Sequence, residues 1–206
     1  MANFYDFAEF QLDVLKEVGN IGAGNAATAL SRLLDKPIDM QVPKVNLLPF
    51  EDIVNSLGGA EQVVLAVFLR VVGEVPGNMF FFFTEDSAKR LLHNFAGIDV
   101  EQPGSYSEME LSALNEIGNI LAGSYLSSLS DFTKLNMIPT VPALTIDMVG
   151  AIISYGLLQY GEMGDHALFI DTQFLEGSDQ VKGHFFFIPD PEAFDKLFHS
   201  LGVPLE

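Results

Sequence analysis

The stretch L-D-V-L-K-E-V-G-N-I-G-A-G, from Leu12 to Gly24, occurs a second time as L-S-A-L-N-E-I-G-N-I-L-A-G, from Leu111 to Gly123. Extended to residues 12–31 and 111–130, the two copies share ten identities in twenty positions without a gap. An internal repeat indicates that one structural unit is used twice, so it takes precedence over any local prediction of the fold.

The repeat covers both halves of the chain. Near the end of each half, a second set of matches lies at an offset of 106 residues, as in Gly77/Gly183 and Leu91/Leu197. We therefore predict a single domain over residues 1–206, built from repeats at about 1–100 and 101–206. A tight turn at Gln102–Gly104 is expected to join them.

Composition limits the classes of function. With 49% hydrophobic and 18% charged residues, the chain can bury a substantial core. It has no apolar run of about 20 residues, which a membrane helix needs, and its first residues lack the pattern of a signal peptide. We predict a cytoplasmic protein without membrane insertion. The net charge of −18 argues against nucleic acid as a partner, and the absence of cysteine excludes disulfides and thiolate metal sites.

Periodicity predicts the same order of elements in each half: a long helix, a proline-marked extended segment, a short helix, two strands and a closing helix. The predicted ranges are 7–34, 41–50, 51–57, 62–72, 77–83 and 85–95, and then 107–132, 140–148, 149–158, 166–175, 181–188 and 191–201. Ser107, with Glu110 three residues later, predicts a capping box at the second long helix.

The runs F-F-F-F and H-F-F-F-I have no polar alternation, so these strands are expected to be buried on both faces. The predicted fold class is α+β: a single domain of two αβ repeats related by pseudo-twofold symmetry, with long helices packed on a merged β-sheet.

A polar stripe runs along each long helix. At 100° per residue, its members lie within about 40° of one line. They are Asp13, Glu17, Asn20, Gly24, Ala27 and Ser31 in the first copy, and Ser112, Glu116, Asn119, Gly123, Leu126 and Ser130 in the second. The opposite arc of the first helix is expected to face the core; it contains Val14, Leu15, Val18, Ile21, Ala26, Ala29 and Leu33.

Three features favour a function for these stripes over a plain solvated helix face. Asn is a poor helix former, yet one lies inside both helices. Glycines recur there although each costs about 1 kcal/mol relative to Ala, and Gly24 leaves the backbone of the stripe open. Glu and Asn also match in both copies, although surface positions of a duplication tend to drift. Because Ala is the better helix former, replacing either Asn with Ala is expected to leave stability unchanged or slightly higher.

The residue types narrow the chemistry. Two carboxylates facing each other across a cleft would suggest a glycosidase, but here each carboxylate has an amide neighbour. The four histidines are scattered without ligand spacing, so no metal site is predicted. Serine-nucleophile motifs and phosphate-binding glycine loops are absent. An amide that positions water, beside a carboxylate that binds a cation, suits hydrolysis of a phosphoryl group carried by another molecule.

This spacing resembles the signature of the CheC/CheX/FliY phosphatases of bacterial chemotaxis, which dephosphorylate the response regulator CheY-P. The residues that carry the resemblance are Asp13, Glu17, Asn20 and Pro43 in the first copy, and Ser112, Glu116, Asn119 and Pro142 in the second. The resemblance extends over essentially the whole chain, and two copies in register make it specific. It also implies an α+β fold with two pseudo-symmetric halves.

The resemblance implies a mechanism. Asn20 or Asn119 would orient water for attack on the aspartyl phosphate, and Glu17 or Glu116 would pair with a lysine of the regulator. Mg²⁺ would be carried by the regulator, so no cofactor of the chain's own is expected. The residues expected to support or border the sites are Asp13, Ser112, Gly24 and Gly123.

The resemblance also implies partners. A phosphorylated CheY-like response regulator is the expected substrate, and the receptor deamidase CheD is a second expected partner. The segment 149–158 is a candidate partner surface, with a core helix as the alternative. The chain alone is expected to be a monomer. The alternative function is a non-catalytic module like FliM of the flagellar switch, which binds CheY-P and lacks the Glu–Asn pairs, or an adaptation partner of CheD.

Overall fold

The computed structural model describes residues 9–100, 105–160, 166–176 and 179–201, and each half has the predicted order of elements. The elements are α1 (Glu9–Leu34), β1 (Asp39–Pro49), α2 (Phe50–Ser56), β2 (Val63–Gly73), β3 (Gly77–Thr84), α3 (Glu85–Leu91, continued by a π-helical turn at Leu92–Ala96), α4 (Glu108–Thr133), β4 (Met137–Pro139), β5 (Ala143–Met148), α5 (Val149–Tyr160), β6 (His166–Glu176), β7 (Asp179–Pro189) and α6 (Pro191–Ser200). The turn predicted at 102–104 lies outside the described residues. Among the described helices, none is both long and apolar enough to cross a membrane.

The seven strands of the described residues form one antiparallel sheet in the order β1-β6-β7-β3-β2, with both β4 and β5 paired to β2. The centre is the β3–β7 pair, which joins the two halves. On either side, the edge strands are exchanged: β1 of the first half pairs with β6, and β4 and β5 of the second half pair with β2. The predicted merged sheet is therefore confirmed.

The phenylalanine-rich strands are buried on both faces, as predicted. Alternate side chains of β3 point to opposite sides. On one side Phe81 packs against Phe185, with ring centroids 4.8 Å apart, beneath the long helices α1 and α4. On the other side Phe82 packs against Phe186 at 5.5 Å, in a smaller cluster that α2 and α5 contribute to. The sheet is thus the middle layer of three.

The long helices α1 and α4 approach closely because one of them has a glycine at the contact. A methyl group on Gly22 would lie 2.9 Å from Cδ1 of Tyr125 and 3.2 Å from its Cα. The Tyr125 ring stacks on Phe185, and its hydroxyl lies 3.0 Å from the hydroxyl of Thr172 on β6. Burial raises the pKa of Tyr125 above its usual range, so the hydroxyl stays protonated and available for this hydrogen bond.

The start of α4 has the predicted capping box. The Ser107 hydroxyl accepts from the backbone N–H of Glu110, and the Glu110 carboxylate accepts from the backbone N–H of Ser107. The pair satisfies two backbone donors that a helix leaves free at its first turn. The first residue of α4 is therefore set by local sequence, and this determines where the polar stripe begins.

Two glycines of α4 should respond oppositely to alanine. At Gly118 an added methyl group would lie 2.7 Å from both γ-carbons of Val67 on β2. Overpacking of this kind costs about 1–3 kcal/mol of unfolding free energy. At Gly123 the methyl group would meet nothing within 4 Å, so Gly123→Ala should stabilise by about 0.5–1 kcal/mol through helix propensity.

Urea denaturation followed by far-ultraviolet circular dichroism measures both variants. Changes of the same sign in Gly118→Ala and Gly123→Ala would contradict the close contact between α4 and β2.

Candidate active site

The polar residues of the two stripes lie on the outer sides of α1 and α4. Glu17, Glu116 and Asn119 are exposed, and Asn20 is half-buried. Asp13 and Ser112, one turn before the glutamates, are exposed as well. Each helix therefore presents a carboxylate and an amide three residues apart on one face.

The stripes do not stay exposed along their full length, and part of the predicted core arc is wrong. Ala27 and Leu126 are buried, whereas Ile21 and Leu33, which were expected to face the core, are each 51% exposed. The reason is that α1 packs against both the sheet and α4, so its buried surface is not a single straight arc. Among the stripe residues, the exposed polar side chains all lie in the first half of each helix.

The glycines of the repeat have separate roles. Gly19 faces the sheet: an added methyl group would lie 3.4 Å from Val42 on β1. The helix contact belongs to Gly22. At Gly24 and Gly123, a methyl group would meet nothing within 4 Å, so the helix backbone there is open to an approaching molecule.

The amide of Asn20 is held by the neighbouring edge strand. Its Oδ1 accepts a hydrogen bond of 2.9 Å from the backbone N–H of Val42. Strand β1 has a one-residue bulge at this point, because Gln41 pairs with Gln173 whereas Lys44 pairs with Asp171. Asn20 therefore binds a donor that the strand ladder does not use, and this fixes which end of the amide faces β1.

Asn119 has a different environment although its position in the repeat is equivalent. The corresponding strand is interrupted between β4 and β5, and Val141, the counterpart of Val42, is 88% exposed. Thr140 fills the gap instead: its N–H donates to the carbonyl of Arg70, and its hydroxyl accepts from the N–H of Arg70. Across the described part of the chain, Asn119 makes no bond like that of Asn20.

A shallow depression of about 360 Å³ borders the first stripe. It is lined by Leu12, Asp13, Lys16, Pro43, Lys44 and Val45. The bulge of β1 and the first turns of α1 therefore meet beside Glu17 and Asn20. The depression places two cationic side chains next to the stripe of a strongly acidic chain.

The sequence did not single out Val42, because Asn20 binds the backbone N–H of this residue. Every non-proline residue carries such a group, so no residue type marks the position. The signal that pointed to this strand was the equal spacing of Pro43 and Pro142 from the two asparagines. The sequence also did not single out Lys16 and Lys44, since only the fold brings α1 and β1 together. A proline cannot donate to a strand ladder, which fits its place in the bulge.

The structure offers no metal centre within the described residues: no three His, Asp or Glu side chains are grouped to hold a metal ion. Two histidines have carboxylate neighbours, His93 beside Asp99 and His184 beside Asp171. Both pairs lie outside the stripes. Within the stripes, the groups available for chemistry are carboxylates, amides and backbone.

The candidate partner segment 149–158 begins as part of the core. Val149 and Ile152 are buried in the cluster on the second face of the sheet, together with residues of α2. Its later side chains lie outside the described set. The core-helix alternative therefore holds for the inner face of the first turns of α5.

Comparison with known proteins gives three findings. A model of the CheC-like family matches residues 10–47 and 109–146, the two copies of the repeat. The chain is 44% identical over 210 residues to the CheY-P phosphatase CheC of Bacillus subtilis, and the match covers 100% of both proteins. It is 29% identical to the putative CheY-P phosphatase CheC1 of Halobacterium salinarum, over 93% of this chain and 96% of that one.

Among solved structures, FliY of Thermotoga maritima has a similar fold. The TM-score is 0.76 at 19% identity, and the match covers 96% of this chain and 98% of that one. At this identity the similarity concerns the fold alone. It agrees with the predicted fold class of two αβ repeats on a shared sheet.

The two asparagines should differ in their contribution to stability. Asn20→Ala removes the hydrogen-bond partner of the Val42 N–H, and Val42 is buried. The loss of this bond should lower the free energy of unfolding by about 1–2 kcal/mol. Asn119→Ala should be neutral or slightly stabilising, because Ala is the better helix former. For Asn20 this differs from the expectation based on helix propensity alone.

Chemical denaturation of the two alanine variants measures the difference. Asn20→Asp serves as the matched control, since it keeps an oxygen acceptor for Val42 and should lose less stability than Asn20→Ala. Equal stability of Asn20→Ala and Asn119→Ala would rule out a structural role for the bond to Val42.

Proposed function

Because the chain belongs to the CheC-like family, we propose that it hydrolyses the aspartyl phosphate of a CheY-like response regulator. The observation that carries the proposal is the Glu–Asn pair on the outer face of a long helix, present once on α1 and once on α4 in register. The chain is also related over its whole length to a CheY-P phosphatase. The reaction is hydrolysis of an acyl phosphate to a carboxylate and inorganic phosphate.

In this proposal Asn20 and Asn119 orient the attacking water. An amide has an oxygen that accepts and an NH₂ group that donates, so it can position water and contact the phosphoryl group together. Phosphoryl transfer needs little covalent help from the protein, and positioning supplies much of the rate. The bond from Val42 would hold the Asn20 amide before the regulator arrives, while the second lone pair of Oδ1 remains available.

Glu17 and Glu116 bind the regulator in this proposal. Each lies one turn before its asparagine on the same exposed face, so a lysine beside the regulator's phosphorylation site could reach it. Asp13 and Ser112 border the two pairs from the preceding turn. Gly24 and Gly123 extend the docking face, since their open backbone admits a close approach of the regulator.

We further propose that Mg²⁺ is carried by the regulator and that this chain needs no cofactor. One helix face offers at most two carboxylates, Asp13 and Glu17, whereas Mg²⁺ prefers six oxygen ligands in octahedral geometry. Small phosphate esters would then be poor substrates, because they bring neither the metal ion nor the lysine. The net charge of −18 also disfavours nucleic acid as a partner.

The remaining partners rest on the family resemblance. We propose that the deamidase CheD binds this chain, that the chain works as a monomer because both sites lie on it, and that it acts in the cytoplasm with its regulator. The alternative is a FliM-like module that binds the phosphorylated regulator without hydrolysing it. The presence of both Glu–Asn pairs favours the enzyme, and the assay below separates the two.

The double variant Asn20→Ala/Asn119→Ala should lose the phosphatase activity, so that phosphate release falls to the regulator's own rate. Each single variant should keep activity from its intact site. Phosphate release from an aspartyl-phosphorylated CheY-like regulator is the measurement, with a chromogenic phosphomonoester as the negative substrate.

Asn25→Ala is the matched control, since Asn25 is also on α1 and exposed but lies off the polar stripe. It should keep full activity. A folded double variant with undiminished hydrolysis would show that the asparagines are not catalytic. Binding of the regulator by the wild type without any hydrolysis would support the FliM-like alternative.

Glu17→Lys/Glu116→Lys should weaken binding of the regulator more than the matching alanine pair does. Alanine removes an attraction to the regulator's lysine, whereas lysine adds repulsion at close range. Binding is measured with a regulator that carries beryllofluoride as a stable mimic of the phosphoryl group. Equal affinities of wild type, alanine and lysine variants would remove the glutamates from the docking face.

A further inference from the structure

The two sites share their Glu and Asn but have different borders. Three border positions of the first site differ in charge from their counterparts 99 residues later. The pairs are Asp13/Ser112, Lys16/Asn115 and Lys44/Ala143. The first border is therefore charged, and the second carries no charge at any of these positions.

The border of the first site is ionic. Lys16 and Lys44 line one depression together with Asp13, beside Glu17 on α1. Lys44 is an exposed residue of β1. Its ammonium lies 3.1 Å from the side-chain amide oxygen of Asn46 and stays at the protein surface. The chain has ten Lys and Arg residues against 28 Asp and Glu, so two lysines in one depression are a local concentration of cations, which Asp13 in the same lining partly offsets.

The border of the second site is apolar. Val63 of β2 and Met148 of β5 are paired across the strands and are 46% and 44% exposed, and Ile146, two residues before Met148, is 40% exposed. These side chains lie on the face of the sheet that carries α4, because Leu144 of the same strand packs against the core below that helix. Val63, Ile146 and Met148 form what we name the apolar border.

The apolar border lies on the same strand pair, β2 and β5, that passes beneath the second site. Val67 is the cross-strand partner of Leu144, and it lies directly beneath Gly118, the residue before Asn119. Strand β5 therefore runs beside the part of α4 that carries the second Glu–Asn pair. In the first copy, the counterparts of Ile146 and Met148 are Leu47 and Pro49, which are half-buried.

We propose that the two sites bind the phosphorylated response regulator through different contacts. The first uses ion pairs from Lys16 and Lys44 to the anionic surface around the aspartyl phosphate, and the second uses the apolar border. This inference rests on the proposed function, because its occupant is the same regulator. Its consequence is that ionic strength changes the share of turnover that each site carries.

The physical reason lies in the range of the two interactions. Charges on an exposed border steer association and are screened when the Debye length falls from about 14 Å to about 4 Å between roughly 50 mM and 500 mM salt. Burial of apolar side chains is not screened by salt. The first site therefore works best at low ionic strength, and the second keeps more of its activity at high ionic strength.

The test isolates each site. Asn119→Ala leaves the first site, and Asn20→Ala leaves the second. Between about 50 mM and 500 mM NaCl, kcat/KM for the phosphorylated regulator should fall about tenfold in Asn119→Ala and only about two- to threefold in Asn20→Ala, where the pairing of Glu116 with the regulator's lysine is the ionic contact that remains. Similar salt dependence in the two variants would overturn the inference.

Border variants identify the groups responsible. In the Asn119→Ala background, Lys16→Asn/Lys44→Ala installs the residues of the second copy and should reduce the salt dependence to that of the second site. The matched control Lys134→Asn/Lys182→Gln removes the same charge at exposed positions away from both borders and should leave the dependence in place. Equal effects of the two pairs would assign the salt dependence to net charge and overturn the inference.

The apolar border has its own control. In the Asn20→Ala background, Ile146→Ser/Met148→Ser should lower kcat/KM several-fold at both salt concentrations. Ile138→Ser changes a residue that is exposed on β4 to a similar degree but lies away from the apolar border, and it should have no effect. Unchanged activity of the Ile146/Met148 variant would overturn the apolar contact.

Binding gives a readout that does not depend on turnover. The double variant Asn20→Ala/Asn119→Ala, with each set of border changes, is titrated with the beryllofluoride-bound regulator. The lysine changes should weaken binding at low salt only, and the apolar changes at both concentrations; any other pattern overturns the inference. Failure of the proposed function is distinguishable, since the wild type would then release no phosphate at any salt concentration.

Discussion

The exchange of edge strands between the two halves is the constraint on which the rest of the structure depends. In the described sheet, β1 pairs with β6 of the second half, while β4 and β5 pair with β2 of the first. The central β3–β7 pair completes the arrangement. Because each half supplies the outermost strand of the other, the two halves form a single sheet. The helices α1 and α4 then lie side by side on one face of it, and they bring both Glu–Asn pairs into the same layer.

This arrangement explains why the two sites can keep one chemistry and differ in their surroundings. The glutamates and asparagines lie on long helices whose inner faces are locked against the same core of aromatic side chains. Their borders come in part from the edge strands, which have a neighbour on only one side. The fold therefore tolerates a difference such as Lys44 in the first copy and Ala143 in the second. Such a difference can alter how a regulator binds without moving the asparagine amide that acts on the regulator.

The bulge in β1 shows how an edge strand can also support the site. Both edge strands contain one residue more than the strands they pair with, yet only in the first copy does the freed N–H turn to the asparagine. In the second copy Thr140 restores the ladder, and Val141 is exposed. The two asparagines thus have the same position in the sequence and different degrees of preorganisation.

Sequence alone determined the repeat, the order of elements, the buried phenylalanine strands, the capping box at Ser107 and the exposed Glu–Asn faces, because each follows from local periodicity or local hydrogen bonding. The exposure of Ile21 and Leu33 could not be predicted, since it depends on how α1 divides its contacts between α4 and the sheet. The partner of Asn20 and the neighbours of Lys16 on β1 were likewise decided by tertiary structure. They depend on strand register and on a backbone N–H, and no residue type in the sequence specifies either.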